Sequence, residues 1–269
     1  LGAGRLAGVL AALVLVAGCA AERPGPEPAR PTAERPTAER PVVVLTFDDG
    51  LARQVVAGEL LREHGLRATF FVSSGVLGRE GRLSVAQVRA LARDGHEIGG
   101  HTLTHARLGE LPPERQEQEI CADRRALVAM GFEVRALAYP YGSFDAHTAG
   151  IAARCGYAGA RGSGRSGGGP FQVATAPAVV RGTGLEALRG YVTGAERRGD
   201  AVVVLVFHDV CARCGEYAVD PGVLDSFLGW LAERGTPVRT FSDALAAAGT
   251  AGGGAAVATP TGARAPARR

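Results

Sequence analysis

The chain has no lysine and no asparagine, and all 30 of its basic residues are arginine. With 39 glycines and abundant alanine, this is the codon bias of a GC-rich genome and excludes nothing functional. Other absences exclude more. Aromatics make up 6% of the residues, no basic block is interleaved with them, and the formal net charge is +3, so nucleic acid is excluded as a partner. No G-x-G-x-x-G opens the first helical stretch, which argues against a dinucleotide-binding sheet. The apolar stretch Leu6 to Gly18 is shorter than the roughly 20 residues of a membrane-spanning helix. What remains, 269 residues with 46% hydrophobic and 21% charged, suits one domain of about 200 residues with flanking segments.

Those segments are recognisable. Residues 1–18 join Arg5 to an apolar stretch in the pattern of a signal peptide. Val16-Ala17-Gly18-Cys19 resembles a bacterial lipobox, which predicts an exported protein acylated at Cys19 and anchored on the outer face of the membrane. The alternative is an ordinary secretory signal and a secreted protein. Residues 19–40 are a Pro/Glu/Arg-rich linker without a hydrophobic period. The globular domain is expected over 41–246, and 247–269, made of Ala, Gly, Thr, Pro and Arg, reads as a disordered tail.

The domain is organised around Val42-Val43-Val44-Leu45-Thr46-Phe47-Asp48-Asp49-Gly50. A continuous Val/Leu run is the pattern of a strand covered on both faces. Adjacent side chains on a strand point to opposite faces, so Asp48 and Asp49 can serve one site only if the strand stops there, and Gly50 permits that turn. A helix N-cap would account for one of the acids but not for both. Downstream, helical stretches close on Gly65, Gly95, Gly131, Gly156 and Gly235, each followed by an apolar run. Runs near 42, 67, 96, 134, 157, 177, 202 and 237 predict an α/β fold with a parallel sheet of seven or eight strands in a barrel-like arrangement.

His101 and His105 follow Gly99-Gly100. On a strand they would stand about 13 Å apart. On a helical turn their Cβ atoms come within about 6 Å, so a shared metal requires such a turn, with an aspartate completing the set. Ala138-Tyr139-Pro140-Tyr141-Gly142 and Val202 to His208-Asp209 are two further apolar runs that end in chemistry-bearing residues. One shared mouth accounts for all four strand ends.

Thr46 to Gly50, His101 to His105, the Tyr-Pro-Tyr-Gly stretch and the strand ending at His208 resemble the ordered motifs of the polysaccharide deacetylase family, the NodB-homology domain of carbohydrate esterase family 4. The resemblance covers about residues 41 to 246. It implies a distorted parallel (β/α) barrel of seven or eight strands, TIM-barrel-like, and a metal-dependent hydrolase removing N-acetyl or O-acetyl groups from a cell-wall or extracellular glycan, with peptidoglycan or another N-acetylhexosamine polymer as partner. By similarity, Asp49, His101 and His105 bind a divalent metal, zinc or else cobalt or nickel. Asp48 is the general base, the backbone N–H of Tyr141 after Pro140 stabilises the oxyanion, and His208 protonates the leaving group. The protein is expected to act as a monomer.

Two departures stand out. The family's third motif usually carries an arginine two residues before the proline, where this chain has Ala138, and Arg181 is the expected replacement. The usual Asp-x-x-Asp-Trp motif is missing, the one tryptophan being Trp230, and Asp209 reads either as the group that tunes His208 or as a solvated loop acid. The departures motivate a second reading, a metal-containing glycan-binding domain with impaired turnover. Against it, binding alone needs neither Asp48 nor His208. His64, His96 and His147 read as structural or surface residues. Of the cysteines after Cys19, Cys121 and Cys155 fall on successive helical segments and are expected to bridge, leaving Cys211 with Cys214.

Overall fold

The computed structural model describes residues 40–164 and 168–250. The expected leader, Cys19 and the linker up to residue 39 lie outside these residues, as do residues 251–269 of the expected tail.

Two six-residue strands, β1 (Val42–Phe47) and β6 (Val202–Phe207), run parallel in full register, from Val42 with Val202 to Phe47 with Phe207. The Asp48 N–H adds one more bond to the Phe207 carbonyl at 2.9 Å. Asp48 and His208, the next residues on each strand, therefore emerge side by side. On the other edge of β1 follow β2 (Thr69–Val72), β3 (Glu97–Gly100), β4 (Ala136–Ala138) and β5 (Gly159–Arg161), giving the parallel order β5-β4-β3-β2-β1-β6. A short parallel pair, β7 (Asp209–Val210) with β8 (Ala218–Val219), follows β6, and β9 (Val238–Arg239) pairs with the start of β1 as the seventh strand of the sheet.

The run expected as a strand near 177 is not one. It lies in an irregular segment, residues 170–179, that bonds to both open edges of the sheet. The Ala160 and Val173 N–H groups link it to β5, donating to the Pro170 and Ala160 carbonyls, while Ala176 and Val179 donate to Val204 and Val206 on β6. Prolines at 170 and 177 remove backbone donors, which is why this stretch closes the curl without becoming a regular strand.

Although β1 and β6 are apolar throughout, their faces are sorted. Val43, Leu45, Phe47, Leu205 and Phe207 join the layer that packs under the helices, with the Phe47 ring stacked between Phe70 at 5.0 Å and Phe207 at 5.2 Å. Val44, Val202, Val204, Phe71, Ala136 and Ala138 form the inner cluster. The helices are α1 (Gln54–Glu63), α2 (Val85–Arg93), α3 (Pro113–Ala129), α4 (Ala146–Arg154), α5 (Leu185–Arg198), α6 (Pro221–Glu233) and α7 (Phe241–Thr250). Ser84 and Gln87 form a reciprocal capping box on α2, and Asp145 and Asp220 cap α4 and α6. α7 closes the inner cluster with Phe241 and Ala244, and it continues to Thr250, past the expected domain boundary at 246. The five glycines expected after helices all take positive φ, from 60° to 93°, the conformation that ends a helix without a Cβ penalty. No helix among the described residues is long and apolar enough to cross a membrane.

Candidate active site

At the C-terminal ends of the strands lies a cleft of about 370 Å³, whose lining includes Asp48, Asp49, His101, His105, Tyr141, Arg161, His208 and Tyr217. β1 stops at Phe47 and the chain turns through Asp49 and Gly50 at φ 75° and 58°, which lets successive aspartates serve one site. Asp48 stays buried at 5% exposure and Asp49 reaches the mouth. A Cβ at Gly50 would also crowd Val72 Cγ1, at 3.2 Å.

Asp49 Oδ1 lies 3.2 Å from His101 Nε2 and 2.9 Å from His105 Nε2. His101 Nδ1 is 2.7 Å from the Ala138 carbonyl, to which it donates, so Nε2 is the ring nitrogen that faces Asp49, as an N–H donor when the ring is protonated and as a lone pair when it is neutral. Three ligand atoms, all within 4.8 Å of one another, thus converge, and with both imidazoles neutral this donor set fits a divalent cation. Burial works to raise the Asp49 carboxyl, but the two imidazoles outweigh it and hold the group well below the usual carboxylate range. Burial likewise works to lower His101, and the Asp49 hydrogen bond with the charges of Asp48 and Asp49 outweighs it and raises the imidazole.

The helical turn expected for His101 and His105 is absent. The chain instead makes an irregular turn in which Thr102 and His105 adopt φ 65° and 63°, bringing the two rings to 4.9 Å. With Asp49 and Tyr141 these are the four non-glycine residues of positive φ among the described residues, and all belong to the segments that form the site. Such backbone persists only where its surroundings over-determine it. Here α3 supplies the restraint. Glu119 accepts from the Thr104 N–H and hydroxyl, both at 2.8 Å, and its carbonyl accepts from the Leu103 N–H at 2.9 Å. Asp123 accepts from the backbone N–H of His101 at 3.0 Å and of Ser74 at 2.7 Å. Asp123 is fully buried, and burial pushes its carboxyl up to about 6 against the pull of those hydrogen bonds. Sequence reasoning missed both acids; their signal is polar residues at 119 and 123, spaced i, i+4 on one helix face.

His208 lies beside Asp48, and burial lowers its proton affinity against the raising influence of Asp48 and Asp49. Gln54 ties the two strand ends together, its amide donating to the carbonyl of His208 at 2.9 Å and to that of Asp48. Asp209 does not touch His208: its carboxylate is held by Arg53, with Nε at 3.0 Å. Tyr141 stands at the rim, 57% exposed, with its ring 4.8 Å from that of His105. Pro140 is buried and starts the turn that presents Tyr141.

Arg181 is exposed and outside the cleft, so the expected replacement for the missing arginine is not there. The guanidinium comes from Arg161, at the end of β5, which pairs with Asp48. Its signal was available: β5 ends in Arg-Gly as β1 ends in Asp-Asp-Gly. Trp230 lies on α6 against Phe227 and takes no part. His64 pairs with Asp225 at 2.7 Å, His96 is buried away from the cleft and His147 is exposed. Disulfides join Cys121 to Cys155 and Cys211 to Cys214, with Cα separations of 5.1 and 5.9 Å.

Residues 35–160 match the family model for polysaccharide deacetylase. By this match the chain resembles the polysaccharide deacetylase family over just under half of its length. Among curated relatives, it is 35% identical over 87 residues to a chitooligosaccharide deacetylase of Rhizobium leguminosarum bv. phaseoli, covering 31% of this chain and 36% of that protein. It is 31% identical over 103 residues to a peptidoglycan-N-acetylglucosamine deacetylase of Bacillus cereus, covering 37% and 36%. The matches span roughly a third to a half of the length of the curated relatives. In fold, the domain superimposes on a family 4 acetyl xylan esterase of Clostridium thermocellum in complex with a cobalt ion, with a TM-score of 0.58, 20% identity, and coverage of 77% of this chain and 92% of that one. It also matches a family 4 carbohydrate esterase of Streptomyces lividans, with a TM-score of 0.52, 21% identity and coverage of 74% and 91%. These likenesses establish the curled parallel sheet with its helices.

Proposed function

We propose that this domain hydrolyses acetyl groups from an N-acetylhexosamine polymer, with peptidoglycan as the leading substrate. The observation that carries the reading is the convergence of Asp49, His101 and His105 in a cleft flanked by Asp48 and His208. The donor set of one carboxylate and two imidazoles suits zinc, with cobalt or nickel as alternatives. When bound, such an ion polarises an acyl oxygen and makes water more acidic. The residues supply the rest. Asp48, through the oxygen that Arg161 leaves free, accepts the proton of the attacking water as its oxygen bonds to the acetyl carbon. The Tyr141 N–H stabilises the developing oxyanion. His208 donates a proton to the leaving nitrogen as the carbon–nitrogen bond breaks, or to oxygen in an ester, yielding acetate and the free amine or alcohol. Ala178 and Val206 offer an apolar lining for the acetyl methyl group.

A polymeric substrate is supported by the rim. Tyr141 and Tyr217, 57% and 45% exposed, are two of the four exposed large hydrophobic residues among the described ones, and both line the cleft. Exposed aromatic side chains beside a polar cleft suit the apolar faces of sugar rings. The names of the relatives, which act on chitooligosaccharide and peptidoglycan, agree with that class. The Cys19 pattern supports an exported, lipid-anchored protein; Cys19→Ser is then expected to leave the membrane fraction, and retention there would refute the anchor.

The test is acetate release from peptidoglycan and N-acetylglucosamine oligomers by the purified protein, with chelator and with added zinc. Metal-dependent release is expected, with Asp48→Asn inactive but metal-loaded and His101→Ala lacking both activity and metal. No release from folded, metal-loaded protein would favour a binding domain.

A further inference from the structure

Arg161 is the largest fully buried side chain of the domain, at 1% exposure. Its guanidinium carbon lies 4.7 Å from the centre of the Phe71 ring, Nη1 donates to the Gly162 carbonyl at 3.2 Å, and Nη2 pairs with Asp48 Oδ1. Its Nε–H is buried with no hydrogen-bond partner among the described residues. Stability does not account for this arrangement. A buried ion pair recovers its desolvation cost only when its hydrogen bonds are complete, and apolar replacements are often neutral or better. What the pair does accomplish is to hold one oxygen of Asp48 while the carboxylate remains on the cleft.

The sheet register explains how the position came to be filled from β5. Ala138 on β4 is the direct partner of Arg161. Register partners on parallel strands project to the same face, about 4.8 Å apart, which is less than the length of an arginine side chain. A guanidinium carried at either position therefore reaches the same point inside the barrel.

We propose that Arg161 is the positioning residue for Asp48, and that its task is defined by the place of the guanidinium rather than by the strand that carries it. The proposal rests on the deacetylase reading for its kinetic consequence. Acetate-release kinetics, metal content and melting temperature would be measured for Arg161→Met, Arg161→Lys and the double variant Arg161→Met/Ala138→Arg. Arg161→Met is expected to lose about 10²-fold in kcat, with KM and metal content unchanged, because the carboxylate is no longer held in line. Lysine keeps one donor and should retain part of the rate. The double variant should recover at least about tenfold over Arg161→Met. Wild-type kcat in Arg161→Met, or no recovery in a folded double variant, overturns the proposal while leaving the deacetylase reading intact. If the wild type itself releases no acetate, that reading fails, and a crystal structure of Arg161→Met then decides. Asp48 turned away from the cleft upholds positioning, and Asp48 unmoved refutes it.

Discussion

At the scale of single residues, His96 shows how a histidine can be chemically perturbed and still have no part in the site. Burial is the main influence on it and lowers its pKa, against the raising effect of Asp94. Its Nδ1 accepts from the Ala68 N–H at 3.3 Å, which only the unprotonated nitrogen can do. The unfolded chain binds this proton near about 6.5 and the folded chain binds it at lower pH. The stability that His96 contributes is therefore fully present above the unfolded value and is lost as pH falls through the folded one. Replacing it with phenylalanine, which can keep the edge contact to Phe70 at 5.3 Å, should flatten the fall in melting temperature below about pH 6.5. Parallel curves for variant and wild type would show that His96 does not titrate in this way. His96 stands just before β3, at the end of the sheet opposite the cleft, and its ring packs against Phe70, which is why it has a structural role.

At the scale of elements, the turn that carries His101 and His105 depends on α3 more than on its own sequence. No helical turn joins His101 to His105; Glu119 and Asp123 on α3 hold the segment, by accepting backbone N–H groups from Thr104 and His101. Glu119→Ala should therefore release the turn and weaken zinc binding by about 10- to 100-fold, measured by calorimetry on metal-stripped protein. Unchanged affinity would place the restraint elsewhere. Spacing arguments predicted a helical turn because it is the commonest way to bring residues four apart together. The chain reached the same end through two left-handed residues, an option no single-sequence pattern reveals.

At the scale of the whole molecule, the Cys121–Cys155 bridge ties α3 to the end of α4 across 34 residues. By loop-closure entropy, replacing both with serine should cost about 3–4 kcal/mol in urea unfolding. A loss under about 1 kcal/mol would mean that the packing of the two helices already supplies the restraint. The sequence by itself determined the strand ends and their chemistry. Buried parallel strands are spelled as unbroken apolar runs, and Asp48, Asp49, His101 and His208 interrupt or follow such runs where no packing need calls for them. It also determined the alternation of helices and strands, through the glycines that end the helices. Only the tertiary structure decided which arginine faces Asp48, because Arg161 and Arg181 both follow apolar residues and only the pairing of β5 with β4 distinguishes them. It also decided that the run near 177 closes the sheet without becoming a strand, and that Asp209 serves Arg53 rather than His208. Those outcomes depend on register and on competition among neighbours, which are properties of the assembled sheet and cannot be read from any one segment.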